Sequence, residues 1–326
     1  MTYVDEDIQS RRRKLHRVPV QLRQDLKHIY EPAVVPLGPY HNRQHPQLHL
    51  VEPLKNELCD IVCGDDKRKQ VLVINIFKRI GEICYFYGGT TGYGYMDLAA
   101  MMLLDACFLI CYMQEGETQT LIRQRLGMSG VLFMNRDVFM LENQIPLWLI
   151  SFIHPDHQSL LCQYLSNNVY GGIKLTQLPW GDGRGEEPIH LLEAVHRTTF
   201  ILHETPENPS NFLRLIKKCN HPSTGKEVSS RTHWQMMNNN TPYWSSVNDL
   251  KAKGVRFRRS SNCLTDIKFL SFAWYAELHL PFFYITYNSK VFFSNAIAFE
   301  MSPETNTNLL LCLTFIQTYF TINPTN

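Results

Sequence analysis

Two acids sit in surroundings that penalise charge. Asp105 lies within Met101-Met-Leu-Leu-Asp-Ala-Cys-Phe-Leu-Ile110, and Glu142 within Phe139-Met-Leu-Glu-Asn-Gln-Ile-Pro146. An ionised carboxylate among such neighbours must be paired or hydrogen-bonded, or it takes up a proton. Tyr40, Arg136, Asn143 and Gln144 are the partners at hand. Tyr40, His41, Asp105, Asp137, Glu142 and Asn143 thus form a candidate polar network or ligand site. Two carboxylates can do general acid–base work. The sequence sets no nucleophile, oxyanion donor or metal motif beside them, so a structural network that fixes helix register is the favoured reading.

Other clusters point to less. Cys59/Cys63 and Cys107/Cys111 are each four apart and would share helix faces. Four thiolates could bind zinc, but the paired CxxC knuckles of common zinc sites are missing, and core packing is the better assignment. His41, His45 and His49 recur every four residues, yet Pro46 disfavours the continuous helix that would align them. Gly88-Gly89 and Gly92-x-Gly94 lack the Lys and Ser or Thr of a phosphate loop, since Tyr95-Met96 follow. No Gly-x-Ser-x-Gly or His-Glu-x-x-His motif occurs. We therefore assign no catalytic residue, no metal and no cofactor from sequence.

The run Lys251-Ala-Lys-Gly-Val-Arg-Phe-Arg-Arg259 contains no acid. Lys251, Lys253, Arg256, Arg258 and Arg259 make a solvated face in the simplest reading. The sharper alternative is a patch for an acidic partner or anionic lipid.

These residues need a scaffold. Helical spacing is evident in Leu48 to Ile61, Val71 to Tyr85, Met96 to Tyr112 (apolar nearly all round), Arg136 to Ile153 with a kink at Pro146, Ile189 to His203 and Asn211 to Cys219. Beyond a polar stretch from His221 to Tyr243, Ser245 to Lys253 reads as a short helix stopped by Gly254. Val255 to Arg258 alternates like a half-exposed strand, Leu264 to Phe272 and Ala276 to Tyr287 read as paired antiparallel strands, and Val291 to Met301 returns to helix. Leu309 to Ile322 is too short and polar for a spanning helix and reads as a packed terminal one. The expected fold is mainly α with a small antiparallel β region: a helical region 1–220, a polar loop 221–243 and an α+β region 244–326.

Composition agrees. The 326 residues are 44% hydrophobic, 19% charged and 12% aromatic, which excludes a disordered chain. Thirty-two Lys and Arg against thirty Asp and Glu leave a net charge of +2, without the basic excess of a nucleic-acid binder. The N-terminus has no secretory signal, so the nine cysteines are expected to be reduced.

Several segments, in order, resemble a known plant family. They are His16-Arg-Val-Pro19 with Leu22-Arg23, Val35-Pro-Leu-Gly-Pro-Tyr-His41, Glu52 with Lys55, Asp97 to Phe108, and Asp137 to Pro146. Ser246 to Phe257, Leu264-Thr-Asp-Ile-Lys-Phe269 and Ser294-Asn-Ala-Ile-Ala-Phe-Glu300 complete the set. The chain is similar to the family catalogued as domain of unknown function 247, the UPF0481-like proteins. It departs at Met301, where Gln is usual, and at Asn42-Arg43 after His41. It also stops at Asn326, before the hydrophobic anchor that ends family members.

The resemblance implies one plant-family domain, either a shortened member or an incomplete gene model, with no established enzymatic activity or catalytic residues. Some members are associated with pollen–stigma self-recognition, and anchored members act at membranes. The expectation is a non-enzymatic interaction or signalling scaffold with a protein partner. The alternatives are an enzyme or small-ligand binder using Asp105 and Glu142, and a peripheral binder of anionic membranes. A cytoplasmic location is expected for the chain as it stands, and a membrane-associated one for an anchored form.

Overall fold

The computed structural model describes residues 13–23, 27–42, 46–89, 92–168, 178, 180, 187–200, 247–260, 268–272, 274–281 and 288–302. The chain divides into two units, 1–199 with 285–312, and 200–284 with 313–326.

The first unit is helical among its described residues. Short helices α1 (Val20–Arg23) and α2 (Lys27–Tyr30) precede an extended stretch and a 3-10 helix at Pro46–Val51. Helix α3 (Glu52–Cys63) starts with Pro53 in its first turn and stops at Gly64, whose φ of 80° suits a residue without Cβ. In α4 (Asp66–Lys78) the Asp65 carboxylate caps the start, accepting from Arg68 N. The Val71 to Tyr85 segment is two helices rather than one, because the chain breaks at Arg79 before α5 (Ile80–Phe86). The glycines after Tyr87 end it as expected; Gly88, Gly89 and Gly92 all have positive φ.

Helix α6 (Tyr95–Met113) is the centre of this unit and packs against α3 and α4. It is long and apolar enough to cross a membrane, yet most of its surface is buried inside the unit. That is the signature of a core helix. Helix α7 (Glu117–Asp137) carries a break at Gly127, φ 67° and ψ 174°, and its scattered apolar residues gave no clear period in sequence.

The expected helix over Arg136 to Ile153 does not form. Helix α7 ends at Asp137, turns follow, and α8 (Trp148–Ile153) begins only after Pro146. The reason lies in side chains that take the helical carbonyls. Asn143 Nδ2 donates to Asp137 O, and Gln144 Nε2 donates to Val138 O and Met140 O at 2.8 and 2.9 Å. The amides thus take the places of the i+4 backbone N–H groups of a helix, and Asp137 O and Met140 O keep only turn bonds, from Met140 N and Asn143 N. Helices α9 (His157–Asn168) and α10 (Leu191–Phe200) follow.

In the second unit α11 (Val247–Ala252) leads through Gly254, φ 83°, into β1 (Val255–Ser260). Strands β2 (Lys268–Ser271) and β3 (Ala276–Pro281) complete a sheet of order β1-β3-β2. The antiparallel expectation holds for β2 and β3, with Phe269 opposite Leu278. It needs correcting for β1, which runs parallel to β3, Phe257 opposite Leu278, so the sheet is mixed. Alternation then buries Val255 and Leu278 on one face and exposes Arg256, Arg258 and Leu270 on the other.

Helix α12 (Ser289–Glu300) returns to the first unit instead of staying with the sheet that precedes it. Asn295 fixes it there: its Oδ1 accepts from Leu141 N at 2.8 Å and its Nδ2 donates to Ile29 O at 3.0 Å. The polar loop 221–243, the helix expected over Asn211 to Cys219 and the terminal run Leu309 to Ile322 lie outside the described residues.

Candidate functional site

The six residues singled out from sequence meet in one buried network. Its backbone side is the extended stretch 31–42 with the entry segment Leu15 to Val18. Its side-chain side is α3, α6 and the turns that follow α7.

Asp137, the last residue of α7, turns one oxygen to three consecutive donors. Ala33 N, Val34 N and Val35 N reach its Oδ2 at 3.0, 2.7 and 3.0 Å. The Arg136 guanidinium approaches Oδ1 at 3.3 Å. Burial pushes this carboxyl above its ordinary value, and the three N–H donors and Arg136 pull against it. Asn143 continues the same seam, accepting from Leu37 N at 2.7 Å and donating to Val35 O at 2.9 Å.

Asp105 is the next stitch. Its Oδ2 accepts from Gly38 N and its Oδ1 from Lys55 Nζ, both at 2.7 Å. Lys55 is fully buried, and its Nζ also donates to Pro36 O at 2.6 Å and pairs with Glu52 at 3.0 Å. Three oxygens around one nitrogen match the three donors of an ammonium. Burial alone would depress Lys55, but Asp105 and Glu52 outweigh it and hold it above its ordinary value. Burial also pushes Asp105 up, against the opposing pull of Lys55. The filled ammonium geometry favours a charged pair.

Gly38 sits where only glycine fits. Its φ is +70°, and a Cβ there would lie 2.4 Å from Tyr87 Oη. That hydroxyl donates to Gln144 O at 2.9 Å, while Tyr40 Oη donates to Tyr87 O at 2.8 Å. The two rings meet edge to face at 5.2 Å.

Glu142 closes the network at the entry segment. Its Oε1 accepts from Val18 N at 2.7 Å and pairs with Arg23, while Arg17 reaches Oε2 at 3.4 Å. His41, buried, places Nε2 3.9 Å from Oε2. The Arg17 guanidinium also lies over the Tyr40 ring, 3.5 Å from its centre. His49 is exposed on the 3-10 helix, so it shares no face with His41, and His45 lies outside the described residues.

Chemically this is a clamp. The carboxylates of Asp105, Asp137 and Glu142 accept from backbone N–H groups of one extended segment or its entry, and cations balance them. Asp137 and Asn143 also show why an acid and an amide follow a helix end so closely: six residues apart, they face the same stretch. Sequence reasoning found the acids but not Lys55 as the partner of Asp105. The signal was present, since Lys55 falls four residues after Val51 and four before Cys59, inside the apolar stripe of α3. Asn295 and Glu300 carried the same signal within the apolar α12. Glu300 meets His196 Nε2 at 2.7 Å, both buried.

The basic patch belongs to the second unit. Lys251, Lys253, Arg256 and Arg258 are exposed. Arg259 is the fifth residue of β1, and its side chain lies outside the described set. The patch is less purely basic than its sequence: Glu277 of β3 pairs with Arg258 at 3.3 Å and His279 at 3.1 Å. His279 and Arg258 hold its carboxyl below the ordinary value. Sequence reasoning missed Trp274, which is 95% exposed in the β2–β3 connection. Beside it Phe272 and Tyr275 stack at 4.7 Å, and the Arg256 guanidinium lies 4.3 Å from the Tyr275 ring centre.

The clamp lies within the part of the chain that matches a known family. No solved structure matches it. The UPF0481 protein At3g47200 of Arabidopsis thaliana is 21% identical over 295 residues, 86% of this chain and 59% of that protein. The chain thus spans less than two thirds of the length of this curated relative. The model of the family DUF247, described as "Plant protein of unknown function", matches residues 15–317, from the entry segment through the clamp and the sheet to beyond α12. The chain belongs to this plant family.

Proposed function

We propose that the protein is a non-enzymatic interaction scaffold that docks an acidic protein partner on its strand-bearing unit. The observation that carries this reading is Trp274, a large aromatic side chain exposed on the unit that also exposes Lys251, Lys253 and Arg256, with its backbone carbonyl next to Gly254. Tryptophan and arginine are the residues that most often dominate protein interfaces. The buried acids support the same view from the other side. Asp105, Asp137 and Glu142 hold backbone N–H groups and cations in place, which is work for the fold rather than for a substrate. The test is affinity capture from plant tissue with the full chain and with Trp274→Ala/Arg256→Glu. Partners retained by the first and lost by the second support the proposal. An identical set with both chains overturns it.

A second reading rests on the same aromatic side chain. An exposed tryptophan on a unit with exposed lysines also suits the headgroup region of an anionic membrane. Flotation with phosphatidylserine vesicles distinguishes the two, because a protein-docking surface leaves the chain in the unbound fraction.

A further inference from the structure

Three of the nine cysteines meet at the contact between α3 and α6. Cys59 and Cys63, one turn apart on α3, hold their sulfurs 3.7 Å apart. Cys107 of α6 faces them, and the three sulfurs all lie within 4.8 Å of one another. All three side chains are buried. Only Cys63 and Cys59 share a helix, so the third ligand is a product of the α3–α6 packing.

The spacing suits a metal. Three sulfurs around one ion at a metal–sulfur distance of about 2.3 Å stand roughly 4.0 Å apart when trigonal. The observed triangle needs only small rotations to reach that size. Its donors are sulfur alone, the set that selects soft ions. A structural zinc ion almost always takes four ligands. The next candidate, Cys111, is not within the 4.8 Å cluster. A three-sulfur site with no fourth donor among the described residues suits a low-coordinate monovalent ion.

We infer that Cys59, Cys63 and Cys107 form a trigonal thiolate site for copper(I). Cys59 and Cys63 supply two ligands from one helix face and Cys107 supplies the third from the facing helix. Binding replaces three thiol protons, released to solvent, by three copper–sulfur bonds with no change of oxidation state. Lys69 and Arg68, at the start of α4, act on Cys59 and Cys63 as nearby positive charges and offset part of the negative site. Cys63 is the last residue of α3, next to the open backbone of Gly64, and gives the ion its route in.

The experiment titrates copper(I) into the reduced full-length chain without oxygen, against a coloured copper(I) chelator. One equivalent is expected to bind. Cys63→Ser and Cys107→Ser should each weaken binding by more than about 100-fold, beyond what loss of an outer-shell partner costs. Cys84→Ser and Cys162→Ser, outside the cluster, should leave it unchanged. X-ray absorption on the loaded wild-type chain needs no variant to fold and should show three sulfur neighbours. Copper held no better than by the Cys107→Ser chain, two or fewer sulfur neighbours, or zinc bound with copper excluded would each overturn the assignment.

Discussion

Lys55 Nζ lies 2.7 Å from Asp105 Oδ1 with both side chains wholly buried, so α3 and α6 are joined through their core by an ion pair. The pair also holds the turn of the extended stretch, through Pro36 O and Gly38 N. Breaking it from one side leaves a charge with no water to receive it. Lys55→Met should therefore destabilise the chain by about 3–5 kcal/mol in urea unfolding. Lys55→Met/Asp105→Leu should cost clearly less than the sum of the two single changes. Additive costs would mean that the two residues are not coupled.

Gly38→Ala tests the close approach of Tyr87. Positive φ and a Cβ 2.4 Å from Tyr87 Oη act together, for a loss of about 2–5 kcal/mol. Gly64→Ala shares the positive φ but meets nothing within 4 Å, and should cost only about 1–2 kcal/mol. Chemical denaturation of both variants checks the difference.

Asn143→Asp keeps the shape of the amide and replaces its two donors. At neutral pH a carboxylate would face Val35 O and Asp137 O, and a loss of roughly 3 kcal/mol or more is expected. Protonation restores one donor, so the gap between variant and wild type should narrow as the pH falls towards 4. A gap independent of pH would contradict the assigned amide orientation.

His190 makes the wild type itself sensitive to acid. Its Nδ1 accepts from Glu193 N at 3.0 Å, which requires a neutral ring, and burial lowers it to about 4. The unfolded chain protonates this imidazole near its ordinary 6.5, so below that pH the unfolded state binds more protons. Stability should fall between about pH 6.5 and 4, by roughly 3 kcal/mol from this group. His190→Gln should flatten that part of the profile in urea unfolding measured across the range.

Trp274→Ala should change stability by less than about 0.5 kcal/mol, since the side chain is almost fully exposed. If Trp274 anchors the partner, the same change should weaken binding roughly tenfold or more. Calorimetry with a captured partner, alongside the melting temperature, separates the two effects.

Much of the helical unit could be read from periodicity. The apolar run of α6 and the stripe of α3 announce burial because no other arrangement hides so many apolar groups. Asp105, Glu142 and Asn143 were visible as polar residues in apolar company, and they meet in the structure. The Arg136 to Ile153 helix was misread for a reason internal to that stretch. Helical spacing describes side-chain faces but does not register the amides of Asn143 and Gln144 taking carbonyls from the backbone. For β1, local alternation identifies a strand but carries no information about which neighbour it pairs with or in which direction.

Sequence by itself determined which groups need partners: buried acids, a lysine in an apolar stripe, cysteines a helical turn apart. Burial is a local consequence of pattern, so those requirements are legible residue by residue. Only the tertiary structure decided who meets them. Lys55 to Asp105 spans 50 positions and Asn295 to Leu141 spans 154. Cys107 completes its sulfur triangle across a helix contact, and Glu277 reaches the basic strand from β3. Such contacts arise where faces pack, and the strength of a buried charge pair or a metal site depends on distances that packing alone sets.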